Sequence, residues 1–377
     1  MCQAIFNPHF CTNPEFSTDL TAAFERPDIS GCHRSFSEYQ PTPLVTLPAL
    51  AAKLNLGKIR VKDESRRFGL KAFKVLGASY AISRFLEKNP PGDYIFCTAT
   101  DGNHGRAIAW TARRLAQKAI IYMPRDTVSA RIEAIRGEGA IVHIVDGSYD
   151  DAVRQAVEEA RKNGWQMIAD TAWPGYTSVP ADIMAGYTTL FSEMEQSIHS
   201  PDKPGIDFVF LPAGVGSFAA AGVWYYLNRY RHNRPRLIIV EPTEAACLLE
   251  SIRAGEISVS RGTLRTIMAG LNCGTPSLLA WPFLKSGADL FMAVPDKWAE
   301  EAMRAYYYPT GKDPRIISGE SGSAGMAALL ALLKSPALSE TKQKLGLGPD
   351  SRVLLINTEG DTDPDGFGQV IARKKDL

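Results

Sequence analysis

Short apolar runs alternate with amphipathic segments between Tyr94 and Ala169. Unbroken apolar runs are typical of buried strands, whereas apolar residues spaced three or four apart indicate helices. The predicted strands are YIFC, AIIYM, AIVHIV and QMIA, and the predicted helices run from about His104 to Leu115, Ala130 to Arg136 and Tyr149 to Asn163. This alternation predicts a parallel sheet covered by helices and joined by right-handed crossovers.

A second α/β stretch begins near Asp207. There DFVFL leads through AGVGS into a helix from about Phe218 to Tyr230, RLIIVEP follows as a strand, and RVLLIN supplies a late strand. We therefore predict a two-lobed α/β fold with mostly parallel sheets covered by helices. Residues 1–90 and 190–377 are expected to form a large domain, with residues 91–189 inserted as a small one. Ligands of such folds bind in a cleft at the carboxyl ends of the strands.

Composition narrows the class of protein. The length of 377 residues suits two domains, and 45% hydrophobic with 22% charged residues is typical of soluble globular proteins. A net charge of +1 gives no electrostatic reason to bind nucleic acid or a membrane, and no apolar run is long enough to span one. The N-terminal MCQAIFNPHF lacks the features of a signal peptide, so we expect a cytoplasmic location. Six cysteines show no metal-ligand spacing with the six histidines, so no metal site is expected.

Lys74 is the first candidate for chemistry, because it lies where the strand IRVK gives way to the helical pattern from Phe73 to Leu86. In a first helical turn, the backbone N–H groups, the helix dipole and partial burial all disfavour an ammonium ion. A neutral amine is what a lysine needs to form a Schiff base with pyridoxal phosphate. The alternative is a surface lysine with its charged end in water. Lys71, three residues earlier, is expected to face solvent.

The loop from Ala213 to Ser217 lies between a strand and a helix, where backbone N–H groups can bind a phosphate and Ser217 can add a hydroxyl donor. The same region satisfies G-x-G-x-x-A, and Glu241 ends the next strand where a ribose-binding acid would lie. A mononucleotide-like cofactor, a dinucleotide and a simple tight turn therefore remain open for this loop.

A second loop of the same kind, TATDGNHGR from Thr98 to Arg106, also joins a strand to a helix. A pyridoxal enzyme needs such a loop, because the substrate carboxylate requires hydrogen-bond donors near the reacting lysine, whereas a dehydrogenase has no obvious need for it. Asn103 could also hydrogen-bond the cofactor's phenolic oxygen. Taken alone, DGNHG is equally typical of an Asx turn and helix cap.

Eight ordered segments extend over nearly the whole chain: YQPTPL, KDESRRFGLKAFKVLG, TDGNHGR, DTAWPGYT, AGVG, IMAGLNCG, DPRIISGESG and NTEGDTD. Together they resemble the fold-type II pyridoxal-phosphate enzymes, the group that contains threonine and serine dehydratases and the tryptophan synthase β subunit. The resemblance leaves little weight for the dinucleotide hypothesis.

The resemblance implies a role for individual residues. It implies Lys74 as the imine lysine, Asn103 as the partner of the phenolic oxygen, and Thr358 as the hydroxyl facing the pyridine nitrogen. The implied phosphate-binding residues are Gly214, Val215, Gly216 and Ser217, and the implied substrate-binding residues are Thr100, Asp101, Gly102 and His104. A hydroxyl cannot protonate the pyridine nitrogen firmly, which favours prompt loss of a β leaving group.

Two acidic residues depart from the dehydratases, which usually carry serine before GNHG. This chain has Asp101 there and Asp170 in a DTAW segment. A carboxylate can pair with an ammonium leaving group and manage its proton. The resemblance therefore implies α,β-elimination of ammonia from 2,3-diaminopropionate, through aminoacrylate, to pyruvate and ammonia. Lys74 would remove the α proton of one enantiomer and Asp101 that of the other.

Several alternatives stay open. Asp101 could be a helix N-cap and Asp170 could make a structural hydrogen bond. The activity could be that of a serine or threonine dehydratase, a β-replacement synthase or an NAD(P)-dependent oxidoreductase. The resemblance also suggests a homodimer, and a disulfide between Cys247 and Cys273, for which free thiols are the alternative. Glu320 is expected either near the cofactor ring or as the cap of the next helix.

Overall fold

The computed structural model describes residues 1–198 and 205–373, which contain eleven strands and fifteen α-helices. The strands are β1 (Gln3–Phe6), β2 (Leu44–Thr46), β3 (Lys58–Asp63), β4 (Ile95–Ala99), β5 (Lys118–Pro124), β6 (Ile141–Val145), β7 (Gln166–Met167), β8 (Phe208–Pro212), β9 (Arg236–Pro242), β10 (Leu290–Val294) and β11 (Arg352–Asn357). The helices are α1 (Thr18–Thr21), α2 (Ile29–Arg34), α3 (Pro48–Lys53), α4 (Val75–Lys88), α5 (Asn103–Arg114), α6 (Ser129–Arg136), α7 (Tyr149–Asn163), α8 (Ser178–Ile198), α9 (Ser217–Tyr230), α10 (Cys247–Ala254), α11 (Ala280–Gly287), α12 (Asp296–Tyr307), α13 (Ala324–Lys334), α14 (Ser339–Leu345) and α15 (Pro364–Ala372). Among the described helices, none combines the length and the apolar character that crossing a membrane requires.

Seven strands form the larger sheet, in the order β1-β10-β9-β8-β11-β3-β2. The five central strands are parallel, and β1 and β2 pair antiparallel at the two edges. Every residue of β8 and β10 is buried, as expected for strands covered by helices on both faces. The carboxyl ends of the five parallel strands therefore meet at one edge of the sheet.

The smaller sheet has the order β6-β5-β4-β7, with all strands parallel. Its strands lie within the range 91–189 that the sequence assigns to an inserted domain. The division at residues 90 and 189 remains a prediction, and α8 runs across the second of these positions. This helix packs along α4 and α9, and α9 in turn packs on β8 of the larger sheet.

The segment that carries Lys74 is bonded to the end of β11. The Phe73 N–H donates to the Thr358 carbonyl at 3.1 Å, and the Gly360 N–H donates to the Lys71 carbonyl at 2.8 Å. Ala72 and Glu359 form an isolated antiparallel bridge between these two bonds. The lysine is thereby held at the carboxyl ends of the central strands.

Two glycines allow α4 and α8 to cross closely. A Cβ atom on Gly186 would lie 2.4 Å from the Leu76 carbonyl oxygen, and one on Gly77 would lie 2.6 Å from the Tyr187 ring. Both distances are shorter than any normal carbon contact. The crossing therefore depends on glycine at both positions, and it fixes α4 directly behind the lysine.

A buried ionic network joins β3 to α8. Glu193 accepts from Lys62 at 2.6 Å and from Arg67 at 2.7 Å, and Arg67 also pairs with Glu64 at 2.7 Å. All four side chains have at most 4% of their surface exposed, and two cations balance two carboxylates. Burying these charges costs desolvation free energy, so the contribution of the network to stability depends on each charge having its partner.

Candidate active site

The two sheets end at a common cleft, and all of the predicted site residues line it. They are Lys74, Thr100, Asp101, Gly102, Asn103, His104, Asp170, Gly214, Val215, Gly216, Ser217 and Thr358. Residues from the two halves of the chain therefore face each other across one space, as expected for a ligand site at strand ends.

Lys74 is the cap residue in front of α4, and its ammonium forms an ion pair with the Asp170 carboxylate. Only 20% and 14% of the two side chains are exposed. Burial lowers the pKa of Lys74, as the sequence predicts, but the charge of Asp170 outweighs burial and the pKa is raised. The prediction of a neutral amine is therefore wrong for the lysine as it stands here. Burial opposes the charge of Asp170 as well, yet Lys74 holds the pKa of Asp170 well below its ordinary value.

The loop between β8 and α9 forms a cradle at the N-terminus of α9. Gly216 has φ = +95°, a conformation that favours glycine, and a Cβ there would lie 2.7 Å from the Leu284 side chain. A Cβ on Gly214 would lie 2.7 Å from Cys273 Sγ. The first turn of a helix has N–H groups without intrahelical acceptors and carries the positive end of the dipole. The loop is therefore suited to bind a phosphate.

The Ser217 hydroxyl has a different partner from the one predicted. It donates to the Asp170 carbonyl at 2.6 Å, so its single hydrogen is not available to a phosphate in this arrangement. The bond instead connects the phosphate cradle to the residue that pairs with Lys74.

Thr100 organises the loop between β4 and α5. Its Oγ1 accepts from the N–H groups of Gly102 at 3.0 Å and Gly105 at 3.2 Å, which leaves its own O–H to donate into the cleft. The Gly102 N–H is therefore engaged within the loop and is not offered to a substrate. With φ = +152°, Gly102 serves to turn the chain.

His104 is held as a neutral imidazole. Its Nε2 lies 2.9 Å from the Ile168 carbonyl, which requires the hydrogen on Nε2. Burial lowers the pKa of His104, so the ring stays neutral at physiological pH. Its Nδ1 is buried and has no hydrogen-bond partner within the described part of the chain.

Asp101 lies in the cleft and does not cap α5. The cap residue of α5 is Gly102, and the cap makes no side-chain hydrogen bond. Burial raises the pKa of Asp101 to about 6, and the positive charge of Arg131 on α6 acts in the opposite direction. Such a carboxylate is ionised at neutral pH and basic enough to accept a proton.

The Asn103 side chain reaches across the cleft to Glu359. Its Nδ2 donates to the Glu359 carboxylate, which also accepts from the Ser321 N–H and the Thr362 hydroxyl, both at 3.1 Å. Only 2% of Glu359 is exposed. The Asn103 amide is therefore hydrogen-bonded to a protein side chain on the opposite side of the cleft.

Glu359, Arg131 and Tyr149 also line the cleft, and the sequence did not predict them as site residues. Glu359 follows Thr358 at the end of a buried parallel strand, and that position was the available signal. Arg131 and Tyr149 lie in the first turns of amphipathic helices, where nothing in the local pattern distinguishes them from surface residues.

Lys71 and Glu320, which lie close in sequence to predicted site segments, do not line the cleft. Lys71 has 43% of its side chain exposed and pairs with Asp361 at 2.8 Å, in line with the expectation that it faces outward. Glu320 is buried, and the cap residue of α13 is Ser323, so Glu320 does not cap that helix. Burial raises the pKa of Glu320 to about 7.

Glu241 is a helix cap and not a ligand-binding acid. Its carboxylate accepts the N–H groups of Leu248 at 2.7 Å and Leu249 at 2.8 Å, at the start of α10. The dinucleotide hypothesis thus loses the acid that would bind a ribose. Cys247 and Cys273 are free thiols in the structure.

The residues present fit pyridoxal phosphate. The glycine cradle, in which a side chain would fill the space, suits the phosphate, and Lys74 lies in the same cleft. Thr358, 4% exposed, follows the last residue of β11 and offers a hydroxyl group. Within the described residues, no group of histidine, cysteine and acidic side chains is arranged to hold a metal ion.

Comparison with known proteins places the chain in a class. The family described as "Pyridoxal-phosphate dependent enzyme" matches residues 36–359. The chain belongs to this family, its cofactor is pyridoxal phosphate, and its fold is the predicted fold type II.

Within this family, the chain is similar to diaminopropionate ammonia-lyases. The Escherichia coli (strain K12) protein of that name is 42% identical over 90% of this chain and 89% of its own length. The crystal structure of the Escherichia coli enzyme in complex with an aminoacrylate-PLP azomethine reaction intermediate has a TM-score of 0.89 and 39% identity, covering 98% of this chain and 97% of that one. The processed form of threonine deaminase isoform 2 from Solanum lycopersicum, at 21% identity and a TM-score of 0.77, covers 98% and 96% and shares the fold.

Proposed function

We propose that the protein eliminates ammonia from 2,3-diaminopropionate to give pyruvate and a second ammonia. The observation that carries the proposal is the presence of two carboxylates, Asp101 and Asp170, in one cleft with Lys74. Similarity to diaminopropionate ammonia-lyases over 90% of the chain supports it. Bound pyridoxal phosphate supplies the electron sink that makes the α proton of an amino acid acidic.

The cofactor would be held by residues from both sides of the cleft. We assign Lys74 to its covalent attachment, Asn103 to its phenolic oxygen and Thr358 to its pyridine nitrogen. The phosphate would be bound by backbone groups of Gly214, Val215, Gly216 and Ser217. The left-handed conformation of Gly216 in this loop and the start of α9 support this assignment.

Asp170 is assigned to the leaving group. It is ionised at neutral pH, because its pKa is held low beside Lys74, and it contacts an ammonium in the structure. The distal ammonium of 2,3-diaminopropionate can take the same position. A carboxylate beside an ammonium raises the pKa of that ammonium, so the leaving group stays protonated and departs as neutral ammonia.

Asp101 and Lys74 are assigned as the bases for the two enantiomers. Lys74 would remove the α proton of one and Asp101 that of the other, for which a pKa of about 6 is suitable. The substrate carboxylate would bind at the start of α5, where the Thr100 hydroxyl still has a hydrogen to donate. His104 completes that side of the cleft, and Arg131 offsets the charge of Asp101.

A keto-acid assay tests the proposed reaction. Purified protein with pyridoxal phosphate should release pyruvate from D- or L-2,3-diaminopropionate, and Lys74→Ala should abolish both turnover and the absorbance of the imine between lysine and cofactor. Lys71→Met is the matched control, because Lys71 lies outside the cleft lining and pairs with Asp361. Keto acid from serine or threonine, with none from diaminopropionate, would move the assignment to a dehydratase.

The proposed roles of Asp101 and Lys74 as bases can be tested separately with the two enantiomers of 2,3-diaminopropionate. Asp101→Asn should lose turnover of the D isomer selectively if Asp101 is its base. Equal loss for both isomers would instead indicate that Asp101 positions the substrate or the loop.

We also propose a homodimer and a cytoplasmic location. The dimer rests on the family resemblance, and the location rests on a composition typical of soluble globular proteins. Sedimentation equilibrium of the purified protein and fractionation of the expressing cell test the two proposals. A monomer at micromolar concentration would rule out the first.

A further inference from the structure

We infer that Glu359 is a positioning residue that fixes the Asn103 amide for the cofactor. The inference rests on the contact with the phenolic oxygen proposed above for Asn103, and it is independent of the substrate. Its basis is the hydrogen bond from Asn103 Nδ2 to the Glu359 carboxylate.

Both oxygens of the Glu359 carboxylate accept hydrogen bonds. Its Oε1 accepts from the Ser321 N–H and its Oε2 from the Thr362 hydroxyl, both at 3.1 Å. Its backbone is bridged to Ala72, two residues before the reacting lysine. With 2% of its surface exposed, the side chain has no solvent-facing alternative. The acceptor therefore stays in one place.

An ionised carboxylate can only accept, so it selects the NH₂ end of the Asn103 amide. One of the two hydrogens on Nδ2 is used in this bond, and the other remains available in the cleft, which Asn103 lines. Without such an acceptor, the amide could turn by half a rotation and offer its oxygen in place of its NH₂ group. An amide oxygen would repel the phenolic oxygen of the cofactor, whereas an N–H stabilises its ionised form.

The contact also joins the two sides of the site. Asn103 begins α5 beside the smaller sheet, and Glu359 follows β11 in the larger sheet, 256 positions further along the chain. The orientation of Asn103 therefore depends on a residue from the opposite side of the cleft.

The test is the pH titration of the visible absorption band of the cofactor-loaded protein. Loss of the Asn103 donor should raise the apparent pKa of the band, because an oxyanion loses a hydrogen bond. Loss of a negative charge near a cationic group should lower that pKa. Glu359→Gln and Asn103→Ala should therefore both shift the pKa upward if Glu359 acts through Asn103, and the double variant should shift it no further than Asn103→Ala alone.

Two more variants distinguish the loss of the hydrogen bond to Asn103 from the loss of the negative charge and from a general effect on folding. Glu359→Asp keeps the charge but shortens the side chain, and it should shift the pKa upward as Glu359→Gln does. Glu250→Gln is the matched control, since Glu250 is a buried acid outside the cleft that pairs with Arg253 at 2.7 Å, and it should leave the band unchanged. Cofactor affinity should fall about tenfold in Glu359→Gln and stay constant in the control.

A downward shift, or additive shifts in the double variant, would overturn the inference, because Glu359 would then act directly on the cofactor. An upward shift in Asn103→Ala with none in Glu359→Gln would also overturn it, while leaving the proposed contact of Asn103 intact. An unchanged band in Asn103→Ala would reject that contact and the inference together. Turnover of diaminopropionate is judged separately by the keto-acid assay.

Discussion

At the scale of single residues, the site is built from pairs whose members come from distant parts of the chain. Lys74 pairs with Asp170, and Asn103 pairs with Glu359. In both pairs, one member comes from the side of the smaller sheet and the other from the side of the larger sheet. The sequence identified Lys74, Asp170 and Asn103 individually, yet it gave the wrong charge for Lys74, because the partner that sets this charge is not its neighbour in sequence.

Replacing Asp170 with asparagine should lower the pKa of Lys74. Burial already lowers that pKa, and the carboxylate that outweighs burial would be gone. In protein stripped of cofactor, an amine-directed reagent should therefore label Lys74 faster at neutral pH in Asp170→Asn than in the wild type, as measured by peptide mass spectrometry. Asp361→Asn, which removes the partner of Lys71, should leave labelling of Lys74 unchanged. Equal labelling of Lys74 in all three proteins would contradict the role given to Asp170.

Replacing Arg131 with glutamine should raise the pKa of Asp101 above its value of about 6. Burial raises that pKa, and Arg131 is the charge that opposes burial. Where Asp101 acts as the base, the acidic limb of the pH–rate profile should move to higher pH. Arg136→Gln, on the same helix but paired with Glu133 at 2.7 Å, should leave the profile in place. A profile that moves to lower pH in Arg131→Gln would contradict the assigned electrostatics.

At the scale of elements, prediction succeeded where the local signals were complete. The bounds of α7 are those predicted, because Ser148 and Asp151 form a capping box at its start and Gly164 takes a left-handed conformation at its end. The strands β9 and β11 also have the predicted bounds, since both are continuous apolar runs. The strand predicted over QMIA is shorter, covering Gln166–Met167.

Prediction failed where packing decides the structure. The edge strands β1 and β2 are short and only partly buried, so their pattern is weak. The helix α8 was not predicted, although it forms the close crossing with α4 at Gly186. Glycine is normally unfavourable inside a helix, and its presence there is explained only by the partner helix.

Gly186→Ala should therefore destabilise the protein. The added methyl group would lie 2.4 Å from the Leu76 carbonyl oxygen, so α4 and α8 must separate. We expect a loss of about 1–3 kcal/mol in the free energy of unfolding, measured by chemical denaturation. Gly368→Ala in α15 is the matched control, because a Cβ there meets no atom within 4 Å. Alanine is the better helix former, so the control should be neutral or slightly stabilising.

At the scale of the whole molecule, the buried ionic network holds β3 against α8. Glu193→Gln would leave Lys62 and Arg67 with one carboxylate between them. We expect this imbalance to cost about 3–5 kcal/mol in the free energy of unfolding at neutral pH. The exposed pair of Glu301 with Lys334 provides the control, and Glu301→Gln should change stability by about 1 kcal/mol or less. Equal effects at the two positions would show that the network does not act as a buried unit.

Acid should weaken the same network. Burial raises the pKa of Glu193, but Arg67 and Lys62 outweigh burial and lower it from 4.5 to about 2. A carboxylate with a depressed pKa stabilises the fold fully above its unfolded value, and this contribution is lost as the pH falls toward its folded value. Between about pH 4.5 and 2, unfolding free energy should therefore fall more steeply in the wild type than in Glu193→Gln. Parallel curves would contradict the assigned shift.

The architecture was more accessible to prediction than the details of the site. Two α/β units and a cleft at strand ends follow from apolar runs and glycine loops that are local in sequence. The cap role of Glu241, the hydroxyl partner of Ser217 and the bond from Asn103 to Glu359 depend on residues brought together by folding. Residue types at strand ends indicated where chemistry occurs, and the structure was needed to determine which side chain binds which.

The backbone bonds between residues 71–73 and residues 358–360 have a consequence for biosynthesis. When Lys74 leaves the ribosome, the strand that holds its segment in place has not been made, since Thr358 and Gly360 follow almost three hundred positions later. A nascent chain that ends before Thr358 lacks one wall of the cofactor pocket. Contacts this distant in sequence form late and slowly. Capture of the cofactor should therefore come near the end of folding, when the N-terminal and C-terminal parts of the fold have met.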